Sequence, residues 1–318
     1  MPQISIIIPC YNCEKTIEQT LRSVIKQDFS DYEIVLVDDG STDNSMEIIE
    51  RMIQTTNVCI RIYRQTNAGV SAARNVGMDI SRGRYVLFLD ADDLLADGLL
   101  QAVGASMKDH PADTLCFLYT NRENLFHPLV SGARDTVSVP VSRLLERLTY
   151  SKRDVVFSSF VYDTRILARH GLRFVEGARY GEDWEFATKY LAHCDSAILL
   201  ERYGYFYRIV TDSVTRTVLY SQTDAIAAAE RSHAYLLEMG HAFAADFGDY
   251  MYPRAVFSVA HRFGKARNRE LFARLRREYD LKDVMRRMLR NPNVDIKSKL
   301  AAAAYLVSPA LFYLISKH

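Results

Sequence analysis

The sequence predicts an α/β protein: a doubly wound, mostly parallel mixed sheet flanked by helices, with a helical C-terminal extension. Three observations lead there. Short β-branched or apolar runs alternate with amphipathic helical stretches through the first hundred residues, the signature of strand–helix crossover units. One run, Tyr-Val-Leu-Phe-Leu at 85–89, is apolar throughout, as in a strand covered on both faces. Two strand candidates end in acid, Asp38-Asp39 and Asp90-Ala91-Asp92-Asp93, and sheets of this kind bind ligands beyond the carboxyl ends of their strands.

Residues 4–8 are a β-branched run stopped by Pro9, hence a first strand. Residues 14–27 set Ile17, Leu21, Val24 and Ile25 at helical spacing, with Asn12 as a candidate cap. A second strand at 33–37 runs into Asp-Asp-Gly-Ser-Thr-Asp, a composition suited to a tight turn, before a helix at 44–54. A third strand is expected at 58–63, and a third helix at 69–80 packed through Val70, Ala73, Gly77 and Ile80. Further strands are expected at 113–119, 155–162, 196–200 and 204–208, a loop at 122–140 and a short helix at 164–171. Gly-Glu-Asp-Trp-Glu-Phe at 181–186 reads as a helix start, whose carboxylates suit a helix N-terminus. Helices at 225–239, 251–264 and 270–289 then divide the chain into an α/β domain, 1–216, and a helical region, 217–318.

The 318 residues are 48% hydrophobic and 25% charged, ordinary for a soluble globular protein. The charge is uneven: from His261 onward 14 Lys/Arg face 5 Asp/Glu, while residues 1–260 hold 26 against 34. A basic end of this kind seeks an anionic partner; no nucleic acid is expected. The mostly apolar segment 299–317 is interrupted by Ser308-Pro309 and flanked by Lys297, Lys299 and Lys317. It is short for crossing a bilayer. Two readings stay open: a helix lying in an anionic membrane interface, helped by Arg276, Arg277, Arg286, Arg287 and Arg290, or one packing on its own domain. The five cysteines are scattered, and Met1-Pro2-Gln3 leads straight into a strand. Both point to a reducing, cytoplasmic setting; the interfacial reading of the C-terminal segment would make the protein peripheral at the inner face of the cell membrane. Cys10 and Cys13 have CxxC spacing without a second pair, so incidental thiols are expected over a redox motif.

Asp90, Asp92 and Asp93 put three like charges within four positions. Hard oxygen donors so crowded suit Mg²⁺ or Mn²⁺; the alternative is an acidic turn capping the next segment. Neither GxGxxG nor GxxxxGK[ST] is present, which weakens dinucleotide and P-loop readings.

Five motifs occur in order: Ile-Ser-Ile-Ile-Ile-Pro-Cys-Tyr-Asn from Ile4, Val-Asp-Asp-Gly-Ser-Thr-Asp-Asn-Ser from Val37, Asn-Ala-Gly-Val-Ser-Ala-Ala-Arg-Asn-Val-Gly from Asn67, Leu-Asp-Ala-Asp-Asp from Leu89, and Gly-Glu-Asp-Trp-Glu-Phe from Gly181. Together they resemble a family 2 glycosyltransferase of GT-A fold, over roughly residues 4–216. The resemblance implies an inverting transfer of one sugar from a nucleotide-diphosphate sugar, most often a UDP-sugar. The implied acceptor is a saccharide or lipid-linked saccharide, in surface polysaccharide synthesis. It implies that Pro9 and Tyr11 line the base pocket, that Asp39 accepts from uracil with Asp38 beside it, and that Arg74 contacts the nucleotide. Asp90-Ala91-Asp92 matches the DxD motif that contacts ribose and holds Mn²⁺ or Mg²⁺, with Asp93 a further candidate ligand. Asp183 matches the general base. Arg208 could reach the diphosphate, or pair with an acid of the fold. Trp184 is the single tryptophan and lacks the Gln-x-x-Arg-Trp context of processive members; a single-transfer enzyme is expected. The alternatives are a Mg²⁺-dependent phosphohydrolase of haloacid-dehalogenase type, which would want its Asp-x-Asp on an early strand, and a nucleotide-sugar-binding protein without turnover.

Overall fold

The computed structural model describes residues 2–129, 136–150, 154–209 and 218–316. Its contacts divide the chain into two units, Met1–Gly177 with Phe186–Thr211, and Ala178–Glu185 with Asp212–His318. The boundary expected at 216 falls in residues 210–217, outside the described ones.

The first unit begins β1 (Ile4–Cys10), α1 (Ile17–Ile25), β2 (Tyr32–Asp38), α2 (Ser45–Ile53), β3 (Cys59–Arg64), α3 (Val70–Ile80), β4 (Tyr85–Phe88). It continues β5 (Leu94–Leu95), α4 (Leu99–Asp109), β6 (Thr114–Thr120), β7 (Thr136–Val139), α5 (Val141–Thr149), β8 (Phe160–Asp163) and α6 (Thr164–Arg169). Helix α7 (Glu182–Leu191) follows, its residues 182–185 belonging to the second unit and the rest to the first, and β9 (Ala197–Phe206) closes the sheet. The strand order is β3-β2-β1-β4-β8-β6-β9-β5, with β7 also on β9. β1 runs parallel to both β2 and β4, and β2 to β3. β8 is antiparallel to β4 and β6, β5 and β7 are antiparallel to β9, and β6 is parallel to β9.

The centre of the sheet follows from its sequence. Every residue of β1 and β2 is buried, as expected of apolar strands covered on both faces. Helix α3 comes so close to β1 that a Cβ on Gly77 would lie 2.4 Å from Ile7 Cγ2; only glycine permits that approach. At the amino edge, the buried Glu33 accepts from Ser5 Oγ (2.6 Å) and from the Arg82 N–H (2.6 Å), fastening β1, β2 and the start of β4.

Several expectations change. The strands read at 196–200 and 204–208 are one strand, β9, because β9 takes up its extra residues as bulges opposite Leu118 of β6 instead of breaking. The loop expected at 122–140 contains β7, held on β9. Asn12 does not cap α1: its Oδ1 accepts the Thr42 N–H at 2.8 Å, joining two loops.

In the second unit, α8 (Asp224–Glu238), α9 (Ala244–Lys265), α10 (Arg269–Glu278), α11 (Leu281–Arg290), α12 (Ile296–Val307) and α13 (Pro309–Ile315) form a helical array. The helix read at 270–289 is two, because Asp280 caps a fresh start by accepting the N–H groups of Lys282 and Asp283. Asp295 and Ser308 cap α12 and α13 in the same way. Residues 178–185 join this unit through Gly181, whose Cβ, if present, would meet Ala228 Cβ at 3.0 Å, and through the buried Glu185, paired with Arg231 at 2.6 Å. Phe312 is the hub of the last helices, with the rings of Phe257, Phe272 and Tyr305 at 5.9, 5.9 and 5.6 Å.

Candidate active site

The carboxyl ends of β1, β2 and β4 lie side by side, since Cys10 registers with Asp38 and Ile7 with Phe88. Pro9 is buried in β1, and Tyr11 just beyond it is 51% exposed. The loop after β1 is laced to the loop after β2. Asn12 N–H donates to Ser41 Oγ (3.0 Å), Cys13 N–H to Ser45 Oγ (2.7 Å), and Glu14 N–H to Asp43 Oδ2 (3.0 Å). Asp38 and Asp39 are both buried. Asp38 accepts the Ser41 N–H at 3.0 Å. Asp39 accepts from Gln65 Nε2 and from the N–H groups of Ala68 and Gly69, at 2.7, 2.8 and 2.8 Å. It therefore fixes the entry to α3, where Gly69 has φ +91°, a region that favours glycine.

From α3 the buried Arg74 reaches Asp90 Oδ1 at 2.8 Å, its guanidinium 4.4 Å from the Phe157 ring centre and 5.2 Å from that of Phe174. Asp90 is 29% exposed, so one face of its carboxylate is open. Asp93 is almost fully buried. Its Oδ2 accepts from the Tyr205 hydroxyl (2.6 Å) and its Oδ1 from the Arg208 N–H (2.8 Å). These partners come from β9, brought there by the pairing of Leu94 with Phe206 and Leu95 with Tyr205 in β5. The Arg208 guanidinium bonds the Asp92 carbonyl, Gln19 Oε1 (2.5 Å), the Thr16 carbonyl (3.2 Å) and Thr20 Oγ1 (2.8 Å). It clamps the acidic loop to α1 and pairs with no carboxylate among the described residues.

Burial, then Asp90 and Asp92, push the Asp93 carboxyl up to about 8. Asp92 is also raised, by burial and then by Asp90, and no donor from another described residue reaches its carboxylate. The donor set is thus one engaged aspartate, Asp93, and two with oxygen lone pairs to spare: Asp90, partly exposed beside its Arg74 pair, and Asp92, which has no ion-pair partner among the described residues. Among the described residues no three His, Cys, Asp or Glu side chains converge as a complete metal centre. Two carboxylates with the remaining positions left to phosphate oxygens and water are what a Mg²⁺-type site uses, so the residues fit a divalent cation bound together with a diphosphate.

Asp183 lies at the N-terminus of α7 in the second unit, its Oδ1 accepting the Trp184 N–H at 2.7 Å. All five cysteines are free thiols. Cys10 and Cys13 approach to 2.6 Å, a contact that lowers Cys13 and raises Cys10. A broad groove at the opposite, amino-terminal edge of the sheet is lined by Pro2, Gln3, Arg82, Gly83, Lys108 and Arg165. None of the expected site residues faces it, so the chemistry is assigned to the carboxyl edge. Sequence reading missed Tyr205 and Thr20, which bond the acidic loop, and Gln19, which bonds Arg208; the fold alone brings them there.

The sheet and its acidic carboxyl edge define a GT-A type of protein, and the solved structures agree. S. aureus TarS residues 1–349 in complex with UDP-GlcNAc matches with a TM-score of 0.70 at 21% identity, over 100% of this chain and 88% of that one. The mannosyltransferase PcManGT from Pyrobaculum calidifontis, in complex with GDP-Man and Mn²⁺, matches with a TM-score of 0.56 at 19% identity, again over 100% and 88%. In sequence, the glycosyltransferase EpsJ of Bacillus subtilis is 30% identical over 219 residues, 68% of this chain and 63% of that protein. The poly(ribitol-phosphate) β-N-acetylglucosaminyltransferase TarS of Staphylococcus aureus is 28% identical over 211 residues, 65% and 35%. The matches thus span less than two thirds of these relatives' length. The profile of glycosyl transferase family 2 matches residues 5–171. The chain belongs to that family.

Proposed function

We propose that the protein is a metal-dependent, inverting glycosyltransferase that moves one sugar from a UDP-sugar to a hydroxyl of a saccharide or lipid-linked saccharide. The observation that carries the reading is the acidic loop at the carboxyl edge of β1, β2 and β4, where Asp90 pairs with Arg74 yet stays partly exposed, Asp92 has no ion-pair partner among the described residues, and Asp93 is locked from behind. Family membership and the likeness to TarS support a nucleotide-sugar donor. Pro9 and Tyr11 border the base, Asp38 and Asp39 shape the nucleoside pocket, and Arg74 and Asp90 flank the ribose and phosphates. Because both oxygens of Asp93 are engaged, Asp92 is the better direct ligand for Mn²⁺ or Mg²⁺, with Asp90 beside it. The cation, when bound, stabilises the charge that builds on the departing diphosphate. Arg208 acts by holding the loop against α1, where Nε, Nη1 and Nη2 are all engaged.

The acceptor hydroxyl is a poor nucleophile and must lose its proton as it attacks; Asp183 is assigned to take it. We place the reaction at the inner face of the cell membrane, in assembly of a surface polysaccharide. The test is UDP release from a panel of UDP-sugars with Mn²⁺ and saccharide acceptors. Wild type should turn over at least one donor, and Asp183→Asn should lose transfer while still binding UDP. Full activity in Asp183→Asn removes the base assignment.

A further inference from the structure

The last two helices carry an apolar face that no described residue covers. Ile296, Leu300 and Val307 on α12 are 69, 64 and 80% exposed, and Leu311 and Leu314 on α13 are 39 and 61% exposed. At about 100° per residue, Ile296, Leu300, Ala303 and Val307 fall within about 60° of one another. The buried Ala302 and Tyr305 of α12, and Phe312 of α13, form the inner face that packs on the unit. Lys297 and Lys299 fall on either side of the stripe, and neither α12 nor α13 contains an acidic residue. Exposed Lys282, Arg286 and Arg290 of α11 add positive charge. The two readings of this segment left open by the sequence are therefore two faces of one element.

We propose that this face docks on an anionic phospholipid bilayer, the five large apolar side chains entering the boundary between headgroups and acyl chains while Lys297 and Lys299 meet lipid phosphates. Among the described residues no helix is long and apolar enough to cross a membrane. At 12 residues, α12 is about 18 Å long, against a hydrocarbon core of about 30 Å. An apolar stripe edged by lysines is the arrangement of a helix that lies in the interface. A second copy of the chain fits less well: a two-fold seam would bring four lysines around one apolar contact with no acid in either helix to pair them.

The inference rests on the membrane placement proposed above and is independent of the donor, metal and base assignments. Co-sedimentation of the full chain with phosphatidylcholine vesicles, with and without phosphatidylglycerol, tests it, alongside UDP release in vesicle-free solution. Wild type should bind the anionic vesicles. Lys297→Glu with Lys299→Glu should weaken that binding about 30-fold or more, and Leu300→Ser with Val307→Ser at least about tenfold, with melting temperature and solution UDP release unchanged in both. Loss of transfer with vesicle binding intact would sink the enzymatic reading alone. Equal partition of wild type and both variants overturns the docking surface. So does a wild-type dimer, in sedimentation velocity, that the serine variants convert to monomer.

Discussion

Tyr205→Phe is the sharpest test of how the acidic loop is held. The substitution removes one oxygen and leaves the ring, which is nearly fully buried, in place. Two hydrogen bonds go with it: the donation to Asp93 Oδ2 at 2.6 Å and the acceptance of the Asp90 N–H at 3.4 Å. The second is long and contributes little. The first leaves a buried carboxyl oxygen without its donor, which costs about 1–3 kcal/mol. In a unit of this size that is a fall in melting temperature of roughly 2–12 °C. Tyr207, two residues on and 41% exposed, is the control, since its Phe variant should stay within about 0.5 kcal/mol of wild type. Differential scanning calorimetry of the three proteins, with and without Mn²⁺, reads the effect. A Tyr205→Phe protein that melts with wild type would falsify the claim that this hydroxyl sets the loop.

Arg208→Lys should fail to rescue Arg208→Ala, since one ammonium cannot reach the Asp92 carbonyl, Gln19, Thr16 and Thr20 at once; both variants should lose about 2–4 kcal/mol in denaturant melts. Comparable stability of Arg208→Lys and wild type would contradict the clamp. Arg74→Met removes the bond to Asp90 at 2.8 Å, and UDP affinity should fall about 10-fold or more by calorimetry; unchanged affinity would remove Arg74 from the nucleotide site. Gly77→Ala drives a methyl to within 2.4 Å of Ile7 Cγ2 and should cost about 1–3 kcal/mol, a stability effect that leaves UDP affinity per folded molecule unchanged.

The parts of the fold legible in the sequence are the local ones. β1, β2 and β4 are continuous apolar runs, and the acids that follow them fall at one sheet edge because parallel strands end together. What was not legible is non-local. β5 is two residues long and exists because Leu94 and Leu95 pair with residues more than a hundred positions away; no periodicity announces so short a strand. The same pairing delivers Tyr205 and Arg208 to Asp93, so the supports of the site could not be read beside it. Asn12 has the right chemistry for a helix cap, yet its side chain serves the Thr42 N–H instead, a choice made by the neighbouring strand. The break between α10 and α11 does leave a signal: Asp280 directly before an amphipathic run is a cap, which helical spacing alone, continuous across 270–289, hides.

Calorimetric titration of UDP into the protein, with and without Mn²⁺, in wild type and Asp92→Asn tests the central claim most directly. Mn²⁺ should tighten UDP binding to wild type by about tenfold or more, as expected when a cation joins carboxylates to a diphosphate, and that gain should vanish in Asp92→Asn. UDP binding that is indifferent to Mn²⁺ in wild type, or a gain that survives in Asp92→Asn, would contradict it.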